Sequence, residues 1–249
     1  MDIAEHVTAL RTEGARLAEA AGWAGLDEPV PTCPGWQVRD LLAHAGGVHR
    51  WAAAHVRGGR PEPLTAGETA ALFAAPEEQT LDRYRESHRE LVAALSEAKP
   101  DTVCWAFLPA PSPVAFWARR QAHETAIHRV DAESASGNVV TGFPVPFAVD
   151  GIDELLFGFF SRPGGRLVAD PPRSMALQAT DAGTAWTVYL DPDGRRFVRG
   201  AEPADLTIAG PAGDLYLLLW NRRGPAGLAV DGDPGVLDLW RSRATVRWR

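Results

Sequence analysis

The sequence predicts an α+β chain of two domains: a four-helix bundle over residues 1–142 and a smaller α+β domain over residues 143–249. Three observations predict it. Apolar positions recur at helical spacing through the first half and alternate over short runs in the second. The stretch GFPVP, at 142–146, has linker chemistry and separates the halves. All seven histidines (6, 44, 49, 55, 88, 123 and 128) lie before residue 129, which implies that the halves do different work.

In the first half, Ile3, Val7, Leu10 and Leu17 set the apolar face of a helix over 2–22. EPVPTCPGW breaks it. A second helix covers 37–56, with Val38, Leu41, Leu42, Val48 and Trp51 as its apolar set. RGGRPEPLTAG is a loop. A third helix runs over 81–98, with Thr80 as N-cap and Pro100 just beyond its end. After LPAPSPV, a fourth covers 114–136 and stops at Gly137-Asn138.

In the second half, 150–160 is helical. Residues 174–190 and 195–198 are strands around Asp191-Pro192-Asp193-Gly194, where glycine supplies the positive φ of a tight turn. A short strand at 205–209, a helix at 212–220, a strand at 228–230, a helix at 234–241 and a strand at 244–248 complete the chain.

With 45% apolar residues among 249, a buried core is easily formed. Thirty-two acidic against 25 basic residues give a net charge of −7, which disfavours nucleic acid as a partner. Cys33 and Cys104 form neither a CxxC motif nor a disulfide framework, as expected in a reducing cytoplasm. The N-terminus, with Asp2, Glu5 and Arg11 among its apolar residues, is an amphipathic helix and not a signal peptide. No apolar run approaches the roughly 20 residues of a membrane span. A cytoplasmic protein with no membrane partner is the expectation, either a monomer or a homodimer.

The chemistry is concentrated in RRQAHETAIHRVDAE, residues 119–133. Glu124 and His128, four residues apart, lie about 40° from each other around a helix and point the same way. A carboxylate and an imidazole on one face can ligate one ion, and ferritin-like bundles use a closely related arrangement, Glu-x-x-His. His44, mid-helix in RDLLAHAGGVH, is placed to add a third ligand across the core. Two histidines and one carboxylate leave open positions, which suits a catalytic zinc or a related divalent ion. The rival is a pair on a solvated helix face. Register argues against it, because Glu124 aligns with Trp117, Gln121, Ile127 and Ala135 rather than with the charged stripe of Arg120, Arg129 and Asp131. His49 lies about 140° from His44 on an ideal helix, so the two should not share an ion. His123 is second to the ligands or on the surface. His6, His55 and His88 are surface or packing residues.

PTCPGWQVRDLLAHAGGVHRWA followed by WARRQAHETAIHRVDAE resembles the mycothiol-dependent maleylpyruvate isomerase family, an actinobacterial branch of the DinB-like metal-dependent superfamily. ADLTIAGPAGDLYLLLWNRR and VDGDP are similar to that family's second domain, which has a sterol-carrier-like fold. The resemblance implies a DinB-like bundle and a sterol-carrier-like domain. It implies a divalent ion, usually zinc, on His44, Glu124 and His128. It also implies mycothiol as co-substrate, its thiolate attacking a small-molecule electrophile in a cis–trans isomerase or a thiol S-transferase. A hydrolase or cyclase acting without thiol, and a non-catalytic binding protein, are the alternatives on this fold.

Arg222 is the candidate catalytic residue outside the metal set, as a bidentate holder of a substrate carboxylate. For Arg222 and its neighbour Arg223 the other reading is a cation at a helix C-terminus. Arg119 and Arg120 are equally ambiguous. Trp36 and Trp51 pack the core or line a pocket. Cys33 is a buried thiol, a nucleophile or a fourth ligand. Asp131 and Glu133 support the ligands or face solvent.

Overall fold

The first helix, α1 (Ile3–Ala24), opens on a reciprocal cap. The Asp2 carboxylate accepts from the Glu5 amide at 2.8 Å, and the Glu5 carboxylate accepts from the Asp2 amide at 2.7 Å. The remaining helices of the first half are α2 (Val38–Gly58), α3 (Ala66–Phe73), α4 (Thr80–Glu97) and α5 (Pro113–Ala135). This computed structural model describes residues 1–74, 79–99, 101–137 and 139–246. Contacts divide the chain into two units, Met1–Thr141 and Gly142–Arg249.

In the first unit α5 packs on α1, α2 on α4, α1 on α4 and α2 on α5. Leu17 and Ala21 of α1, Val38, Leu41 and Leu42 of α2, Tyr84 of α4 and Ala132 of α5 share one core. Ser112 caps α5, accepting from the Ala115 amide at 3.1 Å, and Pro113 occupies the first turn, where no amide donor is needed.

Two boundaries differ from expectation. A helix not foreseen, α3, takes in the last two residues of the expected loop and runs over 66–73, and Thr65 and Glu68 close a capping box at its start. Thr80 is the first residue of α4; its cap is Gln79, in the left-handed region at φ 63°. Pro100 and Asn138, expected as helix stops, lie outside the described residues; α4 closes at Ala98, and α5 at Ser136 with Gly137 at φ 68°.

The second unit begins with α6 (Val145–Asp153), earlier than expected, and continues as one wider π-type segment over Glu154–Phe159. Five strands follow: β1 (Arg173–Ala179), β2 (Thr184–Asp191), β3 (Gly194–Arg199), β4 (Leu206–Gly210) and β5 (Ala229–Gly232). Their order across the sheet is β3-β2-β1-β4-β5. All neighbours are antiparallel except β1 and β4. The expected strand 174–190 is therefore a hairpin, turned at Asp181-Ala182-Gly183 with Gly183 at φ 60°. Helices α7 (Ala212–Leu219) and α8 (Gly235–Arg243) pack against β1. Trp186, Val188, Ile208, Leu215 and Trp240 are fully buried in this core. The strand expected at 244–248 is not formed over 244–246, and 247–248 lie outside the described residues. Among the described residues no helix is long and apolar enough to cross a membrane.

Candidate metal centre

Helix α5 is enclosed on nearly every side: from Val114 to Glu133 all but Ala115 and Arg119 are buried. Burying polar side chains that way is costly unless they find partners. The charged ones here do. Arg129 donates to Glu13 and to Glu133, each at 2.7 Å, and the Thr141 amide donates to Glu133 at 2.9 Å. This network ties α1, α5 and the end of the unit together. Arg120, fully buried, donates to Glu124 Oε2 at 3.0 Å. The expected charged stripe of Arg120, Arg129 and Asp131 therefore faces protein and not water, because α5 is central to the unit.

The structure brings His44, Glu124 and His128 together. Glu124 Oε1 lies 3.6 Å from His44 Nε2 and 3.3 Å from His128 Nε2. The three candidate ligand atoms all lie within 4.8 Å of one another. Ligand atoms held tetrahedrally about 2.1 Å from an ion stand about 3.4 Å apart, which these separations match. Glu124 Oε1 is buried and has no hydrogen-bond partner among the described residues. A carboxylate oxygen buried in that way needs a cation against it, either a protonated facing imidazole or a bound ion. Donor set and spacing fit a divalent ion.

Each ligand is held from behind. His128 donates from Nδ1 to Asp131 Oδ2 at 2.9 Å, which fixes the tautomer and leaves Nε2 as the ligand atom. Trp36 and Phe73 flank the His44 ring, with centroids 5.2 and 6.3 Å away. His44 keeps 22% of its side chain exposed, against 6% for Glu124, so approach is from the His44 side. Burial alone would push the Glu124 carboxyl up. The facing imidazoles of His128 and His44 and the Arg120 guanidinium outweigh it, and the group stays well below the usual carboxylate range. Burial would lower His128, but the Asp131 and Glu124 carboxylates raise it to about 9.

The other histidines are internal. His49 is off the ligand set, as its register implies, and pairs with Thr125 at 2.9 Å. His88 meets the Leu10 carbonyl at 3.0 Å. His123 is fully buried, with its ring edge on His6 at 6.0 Å. His55 stacks on Trp117 at 5.2 Å and 14°, beside Trp51 and Trp105. Trp51 belongs to this aromatic cluster, whereas Trp36 borders the centre. Cys33 is half-buried, with its thiol on Asp131 Oδ2 at 3.5 Å; it is not among the clustered ligand atoms. In the second unit, Arg222 is half-buried and donates to the Trp220 carbonyl at 3.0 Å, and Arg223 pairs with Asp214.

Sequence reasoning missed two supporting contacts. The Arg120–Glu124 pair was visible as an i,i+4 relation on a helix. The Thr32 hydroxyl, which donates to Asp131 Oδ1 at 2.6 Å across 99 residues, had no local signal.

The family model "Mycothiol maleylpyruvate isomerase N-terminal domain" matches residues 7–133, and the "MDMPI C-terminal domain" matches residues 146–239. No curated protein matches the chain. A crystal structure of a mutant mycothiol-dependent maleylpyruvate isomerase is similar with a TM-score of 0.65 at 15% identity, covering 92% of this chain and 93% of that one. A second crystal structure of that isomerase gives 0.64 at 16% identity, with the same coverage. At such identity the two structures speak for the fold. The two family models run from the first helix to the last, and the chain belongs to the mycothiol maleylpyruvate isomerase family.

Proposed function

We propose that this chain is an enzyme that uses a low-molecular-weight thiol, mycothiol, at a divalent-metal centre. It acts as a maleylpyruvate isomerase-like cis–trans isomerase or as a thiol S-transferase. The observation that carries this reading is the buried Glu124 Oε1, 3.3 and 3.6 Å from two imidazole nitrogens, in a chain of this family.

His44, Glu124 and His128 would hold the ion, and zinc suits their donor set best. When bound, the ion supplies Lewis-acid chemistry that keeps a thiol as its thiolate near neutral pH. Arg120 occupies Glu124 Oε2 and so holds the carboxylate ionised with Oε1 inward. Asp131 retains the Nδ1 proton of His128. Burial of Glu124 and His128 keeps water from that side, while His44 leaves a path for small molecules.

A thiol adding to an electrophilic cis double bond turns it into a single bond. That bond rotates, and elimination restores a trans double bond and returns the thiol. Where the adduct is not eliminated, it is the product, and the enzyme is a transferase. The substrate class is a small unsaturated acid. Arg222, half-buried after α7, is proposed to hold a carboxylate by a bidentate pair.

The test is turnover of maleylpyruvate and of simple electrophiles by zinc-loaded protein, with and without mycothiol. Isomerisation or adduct formation that requires the thiol is expected. Turnover without thiol would replace this reading with a hydrolase or cyclase, and no turnover despite bound metal with a binding protein. Arg222→Lys should raise KM for the acid by about tenfold or more, given the loss of bidentate geometry.

A further inference from the structure

The segment between α1 and α2, residues 31–36 with sequence PTCPGW, supplies none of the three ligands, yet it reaches the supports of two of them. Thr32 Oγ1 donates to Asp131 Oδ1 at 2.6 Å. Cys33 Sγ donates to Asp131 Oδ2 at 3.5 Å, the oxygen that also accepts from His128. Trp36, at the other end, lies against the His44 ring.

The segment is rigid enough to transmit position. The Val30 amide donates to the Trp36 carbonyl at 2.8 Å, Cys33 to Val30 at 3.0 Å and Trp36 to Cys33 at 3.0 Å. Gly35, at φ +87°, permits the turn that closes this ring of bonds. Asp131 is fully buried. A carboxylate pinned at both oxygens cannot swing, so its bond to His128 Nδ1 dictates the tilt of the imidazole as well as its tautomer.

We propose that residues 31–36 form a positioning clamp for the metal centre, in which Thr32 acts through Asp131 on His128 and Trp36 acts on His44. Thr32, Asp131 and Trp36 are positioning residues: the clamp sets metal affinity from outside the ligand set. This inference rests on the metal reading above. The competing account is a staple that only fastens the segment to α5, in which case it would matter for folding and not for the ion.

Thr32→Val keeps the side-chain shape and removes only the donor, and Thr32→Ser restores it. Zinc affinity is to be measured by competition with a chromophoric chelator, alongside the melting temperature of the metal-free variants. The expected result is affinity lowered about tenfold in Thr32→Val and 10- to 100-fold in Asp131→Asn, the range found for partners of metal-bound histidines. Thr32→Ser should return to within about twofold of wild type. Should Thr32→Val fail to fold, Asp131→Asn and the Thr32→Ser rescue carry the test. Wild-type affinity in Thr32→Val with only a lowered melting temperature overturns the clamp and leaves the metal reading standing. A wild-type protein that takes up no zinc overturns both.

Discussion

Glu124 Oε1 and His128 Nε2, one helical turn apart on α5, face each other at 3.3 Å, and the Asp131 and Glu124 carboxylates together hold a proton on His128 up to a pH of about 9. An ion must displace that proton, because only neutral imidazole ligates. Zinc binding at pH 7 should therefore release about one proton from His128. Calorimetry in two buffers of different ionisation enthalpy will read it, and apparent affinity should rise about tenfold per pH unit between 7 and 9. Binding heats independent of buffer would contradict this. The linkage for folding has the opposite sign. His128 is raised above its unfolded value of about 6.5, so its contribution to metal-free stability is full below that pH and fades as pH climbs through 9.

Acid acts through other histidines. Burial lowers His49 and His88, and brings His55 down to about 4. Each is neutral in the fold and protonates once unfolded, so stability is present above about pH 6.5 and is lost as pH falls below it. Every such proton adds about 1.4 kcal/mol per pH unit to the slope. Neither ring nitrogen of His55 has a hydrogen-bond partner among the described residues, so His55→Phe should fit the tryptophan cluster. Urea unfolding between pH 7 and 4.5 should show a limb flatter by up to one proton in that variant. An unchanged limb would contradict the assignment.

Gln121 shares the α5 stripe of Trp117, Glu124 and His128 and is fully buried, and neither atom of its amide is hydrogen-bonded among the described residues. A bare buried amide costs about 1–3 kcal/mol on protein scales. Gln121→Met, similar in volume, should stabilise the protein by about that amount, or a few degrees in Tm. Destabilisation would mean that the amide has a partner in the folded protein.

Much of the fold was legible because its signals are local. The long helices announce themselves by apolar spacing and by breaks such as EPVPTCPGW and Gly137. Helix α3 was passed over because Gly- and Pro-rich flanks outweighed the Thr65–Glu68 cap, and no residue of α3 is buried to mark a face. The hairpin at Asp181–Gly183 was lost inside a long run of β-forming residues. At the site, the spacing of Glu124 and His128 was readable, and His44 was a candidate third ligand from its mid-helix place before the resemblance named it. What surrounds them was not. Helix α5 has no solvent face over most of its length, so its charges carry no amphipathic pattern, and Thr32 meets Asp131 only through tertiary folding.

The central claim is a divalent ion on His44, Glu124 and His128. Elemental analysis of the purified protein, and of the metal-free protein after zinc addition, tests it most directly when His44→Ala and Glu124→Ala are run in parallel. About one equivalent of metal in the wild type, lost in both variants, is the predicted result. Wild-type protein that arrives without metal and takes up no added zinc would contradict it.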